Sequence, residues 1–161
     1  MPRRLLRDGQ VVVDDWQYLG ECEDQAGAAL IIPFAQWLES RDSWIARGGR
    51  LGVVLAPAHS VDAVAEDLGA LALVGAEFTG PGEGRGYSQA RLLRERWQFT
   101  GELRATGYVR HDQLFFMARC GFNAFELPDG ELASADAALA TFSAAYQPSS
   151  DTGLTLRRRQ G

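Results

Sequence analysis

From Leu51 onward the chain alternates short apolar runs with amphipathic segments four times. The runs Leu51 to Leu55, Leu71 to Phe78, Glu102 to Thr106 and Ala124 to Leu127 read as strands. Each is followed by a helical segment. The first runs from Ser60, which supplies a cap, to Leu68, and the second from about Tyr87 to Trp97. The third spans Arg110 to Cys120 and is stopped by Gly121; the fourth spans Ser134 to Tyr146, with Ser134 as N-cap. Four consecutive β-α units predict an α/β fold with a parallel sheet. Such a unit is half of a TIM-like barrel, which takes about 250 residues when whole. A half-barrel is the expected architecture. An open flavodoxin-like sheet is the alternative, and a strand order of 2-1-3-4 would mark it.

Upstream of this alternation, Asp8-Gly9 stands between Leu5-Leu6 and Val11-Val12-Val13, the residue pair that tight hairpin turns favour. An N-terminal β-hairpin is predicted. Residues 14 to 28 show no clean period and read as a surface loop. From Ile32-Pro33, the residues Phe34, Trp37, Leu38, Arg41, Trp44 and Ile45 recur at spacings of three and four. This predicts one helix with Pro33 in its first turn and an end at Gly48-Gly49. Residues 1–147 are expected to form a single domain, and the segment 148–161, with three arginines in a row, a solvated tail.

The length of 161 residues suffices to bury a core without disulfides or metal. The net charge of −5 argues against nucleic acid as the main partner. All 16 positive residues are arginine, so P-loop chemistry, Schiff bases and lysine general bases are excluded. Cys22, Cys120, His59 and His111 include no pair at ligand spacing, and no metal site is expected. No apolar run approaches 18 residues, so no membrane partner is predicted and a cytoplasmic protein with reduced thiols is expected. Cys120, before Gly121, reads as a buried inert thiol.

Ligands of parallel α/β folds bind at the carboxyl ends of the strands. That rule draws attention to the turn Gly84-Arg85-Gly86-Tyr87-Ser88, where alternate glycines let backbone approach a ligand and the start of a helix attracts anions. The turn is not a dinucleotide fingerprint, because Tyr87 and Gln89 stand where a small residue is needed, and no cofactor is predicted. Arg85, Arg91 and Arg94 follow at spacings that suit an anion pocket; a solvated face paired with Glu95 and Glu102 is the competing reading. On the third strand Glu102, Arg104 and Thr106 share one face, a polar row that suits a barrel interior or an interface. Arg104 reads either as a ligand residue or as a buried partner of Glu102 or Glu126. Gln113 is a further ligand candidate. Asp112 and Glu126 are the candidates for proton transfer, with capping the competing role for Asp112.

The motifs GRGYSQARLLRER (Gly84 to Arg96), GELRATG (Gly101 to Gly107), Asp112-Gln113 and RCGF (Arg119 to Phe122) resemble a bacterial family known as domain of unknown function 934. The resemblance covers nearly the whole chain. It implies a small cytoplasmic protein encoded beside the haem subunit of assimilatory sulfite reductase, in a family often labelled oxidoreductase without an established activity. No catalytic residue is carried over by it. Two departures stand out: Glu83 where the family has Asp before Gly-Arg-Gly, and Tyr108 where it has an acidic or amide residue. Three functions remain open. The chain is an accessory protein of sulfite reduction that binds the reductase or a small oxyanion, an enzyme with its site at the strand ends, or a phosphometabolite-binding regulatory module. An exposed edge and half-core predict a homodimer.

Overall fold

The computed structural model describes residues 3–21 and 27–135. Strands β1 (Arg4–Arg7) and β2 (Gln10–Val13) pair antiparallel as the predicted hairpin. Asp8 and Gly9 take φ of 51° and 83°, positive at both central positions of the turn.

The remaining strands are β3 (Gln17–Tyr18), β4 (Leu30–Pro33), β5 (Leu51–Leu55), β6 (Leu73–Phe78), β7 (Glu102–Gly107) and β8 (Ala124–Phe125). All eight lie in one sheet, ordered β2-β1-β8-β7-β6-β5-β4-β3. β3 to β8 run parallel in chain order, whereas β1 is antiparallel to β8, so the sheet is mixed rather than purely parallel. The order differs from 2-1-3-4, so the open flavodoxin-like alternative is set aside.

The connectivity forces the sheet to curl. Its edge strands β2 and β3 are joined by residues 14–16 alone, so Val13 and Gln17 are at most about 14 Å apart. Eight strands laid flat would hold their outer members about 33 Å apart. The chain resolves the conflict by bending the sheet into a half-barrel, and the Tyr18 hydroxyl of β3 reaches a carboxylate oxygen of Glu126, just past β8, at 2.5 Å.

Several expectations about single elements are corrected. Residues 14–28 include β3, and Leu30–Pro33 is a strand, its run of buried Leu30, Ile31 and Ile32 typical of a strand covered on both faces. The helix expected from Pro33 to Gly48 is two, α1 (Phe34–Glu39) and α2 (Arg41–Arg47), broken at Ser40. After β5 the chain forms 3₁₀ turns, Val61–Ala63 and Ala65–Ala70, in place of an α-helix. Val61, Val64 and Asp67 are buried at a strict spacing of three, the period at which 3₁₀ side chains eclipse. The last helix already runs through 129–135, so Ser134 lies inside it and is not its cap. Its continuation to Tyr146, the tail 148–161 and Cys22 lie outside the described residues.

Alternation along the strands separates two faces. Leu6, Ile32, Val53, Val74, Leu103 and Phe125 pack under the helices with Phe34, Trp37, Leu93 and Met117. The inner face carries a second core of Trp16, Ala29, Ile31 and Leu73, with Tyr18 and Val54 against it. Beside that core stands the polar row of β7.

Candidate functional site

Arg104 is fully buried, and its guanidinium is met from three sides. Nη1 and Nη2 donate to the two Asp14 oxygens at 2.9 and 3.1 Å, Nε donates to Glu102 Oε2 at 2.9 Å, and Nη1 also donates to Glu126 Oε2 at 3.0 Å. Asp14 in turn accepts from Arg3 Nε and from the Trp16 amide, both at 3.0 Å. Arg7 Nε lies 3.1 Å from Glu102 Oε1. Three arginines thus balance three carboxylates on the inner face, which is how a buried charge is tolerated. The buried-pair reading of Arg104 holds with both Glu102 and Glu126.

Asp14, Tyr18, Arg3 and Arg7 have no place in the sequence reading. The inward polar row on β7 was itself the signal, because a buried Arg104 demands more counter-charge than β7 supplies. Asp14 follows directly on the hairpin, in the three-residue link that joins β2 to β3.

Burial works against the charge of Arg104, but the Asp14 hydrogen bonds and the surrounding carboxylates outweigh it and raise its pKa. Burial, then the Glu126 charge and hydrogen bond, pushes the Tyr18 phenol far above its ordinary value, so it stays a donor. For Asp14, burial raises the pKa, yet the hydrogen bonds and charge of Arg104, with help from the Trp16 amide and Arg3, bring it below the usual carboxylate value. Such a group contributes stability that is complete above its unfolded pKa of about 3.9 and is lost as pH falls through the lower folded value. Urea denaturation of the wild type is therefore expected to weaken below about pH 4, and an Asp14→Asn variant to show a shallower acid slope. Equal slopes would remove Asp14 as a source of the acid sensitivity.

The glycine-rich turn is arranged differently from an open anion cradle. Helix α3 (Arg85–Glu95) begins two residues before the expected Tyr87. Glu83 Oε1 accepts the Arg85 amide at 2.8 Å, so the chain's own carboxylate occupies the helix start. Gly86 is buried where α3 crosses β6; a Cβ there would lie 2.5 Å from the Phe78 ring. Its small size serves helix–strand packing. Gly84, Arg85 and Ser88 are exposed.

Arg94 turns inward. Its Nε donates to the Gly121 carbonyl at 3.0 Å, and Nη1 to the Phe99 and Gly101 carbonyls at 2.7 and 2.9 Å. Burial lowers its pKa to about 10, opposed by the charge of Asp8, and it remains a cation at neutral pH. This side chain ties α3 to the turns before β7 and before β8. Arg91 donates to Cys120 Sγ at 3.5 Å and lies 3.9 Å from Glu95. Cys120 is buried, as expected.

Residues His111–Gln113 form a 3₁₀ turn before α4 (Leu114–Cys120). Asp112 is exposed, and Gln113 makes no side-chain cap bond. The capping carboxylate comes instead from Glu131, which accepts the His111 amide at 2.9 Å and lies 3.2 Å from Arg110. Asp112 is thus exposed in the turn before α4, whereas Glu126 belongs to the inner network through Tyr18 and Arg104.

Helices α3 and α4 run side by side, with Tyr87 against Phe116 at 4.8 Å between ring centroids, Arg91 against Cys120, and Arg94 against Gly121. Their outer surface keeps large apolar groups in water. Phe116 is 54% exposed, Leu92 and Phe115 41% and Trp97 36%. Arg96 lies over the Trp97 ring at 5.2 Å and Arg119 over Phe115 at 5.8 Å. No described helix is long and apolar enough to cross a membrane.

No curated protein matches the chain. A family model described as bacterial protein of unknown function (DUF934) matches residues 52–156, from β5 through the glycine-rich turn, β7 and α4. With well over half its length in that match, the chain belongs to the DUF934 family of bacterial proteins.

Proposed function

We propose that this protein is an accessory factor of assimilatory sulfite reduction that acts by contact with the reductase, docking through the outer surface of α3 and α4. The observation that carries the reading is Phe116, more than half exposed and packed on Tyr87, on a helical surface that also exposes Phe115 beneath Arg119 and Trp97 beneath Arg96. Aromatic residues and arginine are the types enriched where proteins bind one another. The likeness to proteins encoded beside sulfite reductase supplies the partner. Arg85 and Arg91 lie on the same helix for a small oxyanion, whereas Arg94 and Arg104 are held by internal acceptors. The inner face is filled by the chain's own residues, so a homodimer would form through the helical surface rather than complete an open core.

The test is biolayer interferometry against the immobilised haem subunit of sulfite reductase from the same bacterium. Saturable binding is expected, weakened at least about 30-fold by Phe116→Glu, the size of a hot-spot loss of about 2 kcal/mol. Phe116 is exposed, so the variant is expected to melt with the wild type. No binding by the wild-type protein would sink the proposal.

A further inference from the structure

The carboxyl ends of β7 and β8 open into a hollow of about 380 Å³, lined by Arg3, Arg4, Gly107, Glu126, Leu127 and Asp129 together with Pro128. Its volume is within the range of about 300–1,000 Å³ that small-molecule sites occupy. It is separate from the α3–α4 surface and sits where parallel α/β folds place ligands.

The lining divides into groups already committed and groups that are not. Arg3 is committed: it donates to Asp14, to Glu21 at 3.0 Å and to the Trp16 carbonyl at 3.3 Å. Glu126 accepts from Tyr18 and Arg104 through Oε2, and none of its bonds reaches Oε1. That carboxylate is held rigidly by one oxygen and can receive a donor with the other. Arg4 and Asp129 are exposed and form no ion pair among the described residues. The uncommitted groups are thus two negatively charged hydrogen-bond acceptors and one guanidinium, with Leu127 and Pro128 as apolar wall.

We infer that this hollow binds a small zwitterion of the amino-acid type, whose ammonium group is taken by Glu126 Oε1 and Asp129 and whose carboxylate is taken by Arg4. A lone anion would meet two carboxylates, and a lone cation would meet Arg4 beside Arg3; a molecule carrying both charges satisfies the lining as it stands. The Tyr18–Glu126–Arg104 chain is the support that fixes the acceptor before the ligand arrives.

The test is isothermal titration of the full-length protein at low salt with glycine, L-alanine and L-serine, and with acetate and methylamine as single-charge probes. At least one zwitterion is expected to bind saturably and at least tenfold more tightly than either single-charge probe. Arg4→Ala, on an exposed side chain outside the ion network, is expected to weaken binding at least tenfold with an unchanged melting curve. Glu126→Gln is expected to weaken it further. Absence of heat from every zwitterion, equal binding of acetate or methylamine, or an Arg4→Ala protein that binds like the wild type would each overturn the assignment.

Discussion

An Arg104→Ala variant is expected to lose about 3–5 kcal/mol of folding free energy, the cost of removing one member of a buried ion network. Asp14, whose side chain is fully buried, would keep Arg3 at 3.0 Å and Arg7 at 4.0 Å but lose its bidentate partner. Glu102 and Glu126 would face each other and Asp14 across the vacated volume. Natural domains have about 5–15 kcal/mol to lose, so the variant approaches the unfolding threshold. Urea denaturation at pH 7 reads the effect directly. Arg104→Lys is expected to fall in between, because an ammonium keeps the charge but cannot fork to both Asp14 oxygens. An unchanged midpoint in Arg104→Ala would mean that the network adds nothing to the closure of the curl.

Gly107→Ala is the second large effect. Gly107 ends β7 with φ of 83°, and a Cβ there would lie 2.2 Å from the Phe78 carbonyl oxygen, which already accepts the Tyr108 amide at 2.6 Å. The left-handed conformation alone costs an alanine about 1–3 kcal/mol. The clash adds to it, since backbone rather than a flexible side chain must move and β6 and β7 must part at the mouth of the half-barrel. Gly82→Ala is the matched control: its Cβ would meet nothing within 4 Å, and it is expected to stay within about 0.5 kcal/mol of wild type. The same substitution at two glycines thus differs in effect through the backbone conformation at Gly107 and the carbonyl its Cβ would meet.

The middle of the fold was legible because its strands announce themselves by local composition. β5, β6 and β7 are short apolar or alternating runs, and the Asp8-Gly9 turn has a chemistry that few other structures share. What was not legible depends on contacts distant in sequence. β4 reads as the start of a helix, because Ile32-Pro33-Phe34 continues without a break into the apolar spacing of α1. β3 has two residues, too few for any period, and is defined by pairing with β4. The direction of Arg94 was equally hidden: helical spacing placed it beside Arg91, but the carbonyls of Phe99, Gly101 and Gly121 that receive it belong to turns elsewhere. The polar row of β7 suited a barrel interior or an interface, but the bidentate partner of Arg104, Asp14, lies 90 residues away.

Glu83 carries a similar lesson. The shorter Asp expected there would cap the helix start through the same two-residue reach that Glu83 Oε1 makes to the Arg85 amide. Glu in place of the expected Asp therefore leaves the capping of α3 in place, and with it the orientation of the helix whose outer surface is the proposed docking face.

Docking through α3 and α4 is read out by hydrogen–deuterium exchange of the protein alone and mixed with the sulfite reductase haem subunit. Added protection is expected in α3 and in the turn and helix from His111 to Cys120, with the hollow at Arg4 and Asp129 unaffected. Protection confined to the hollow, or none on either helix under conditions where both proteins are folded, would contradict it.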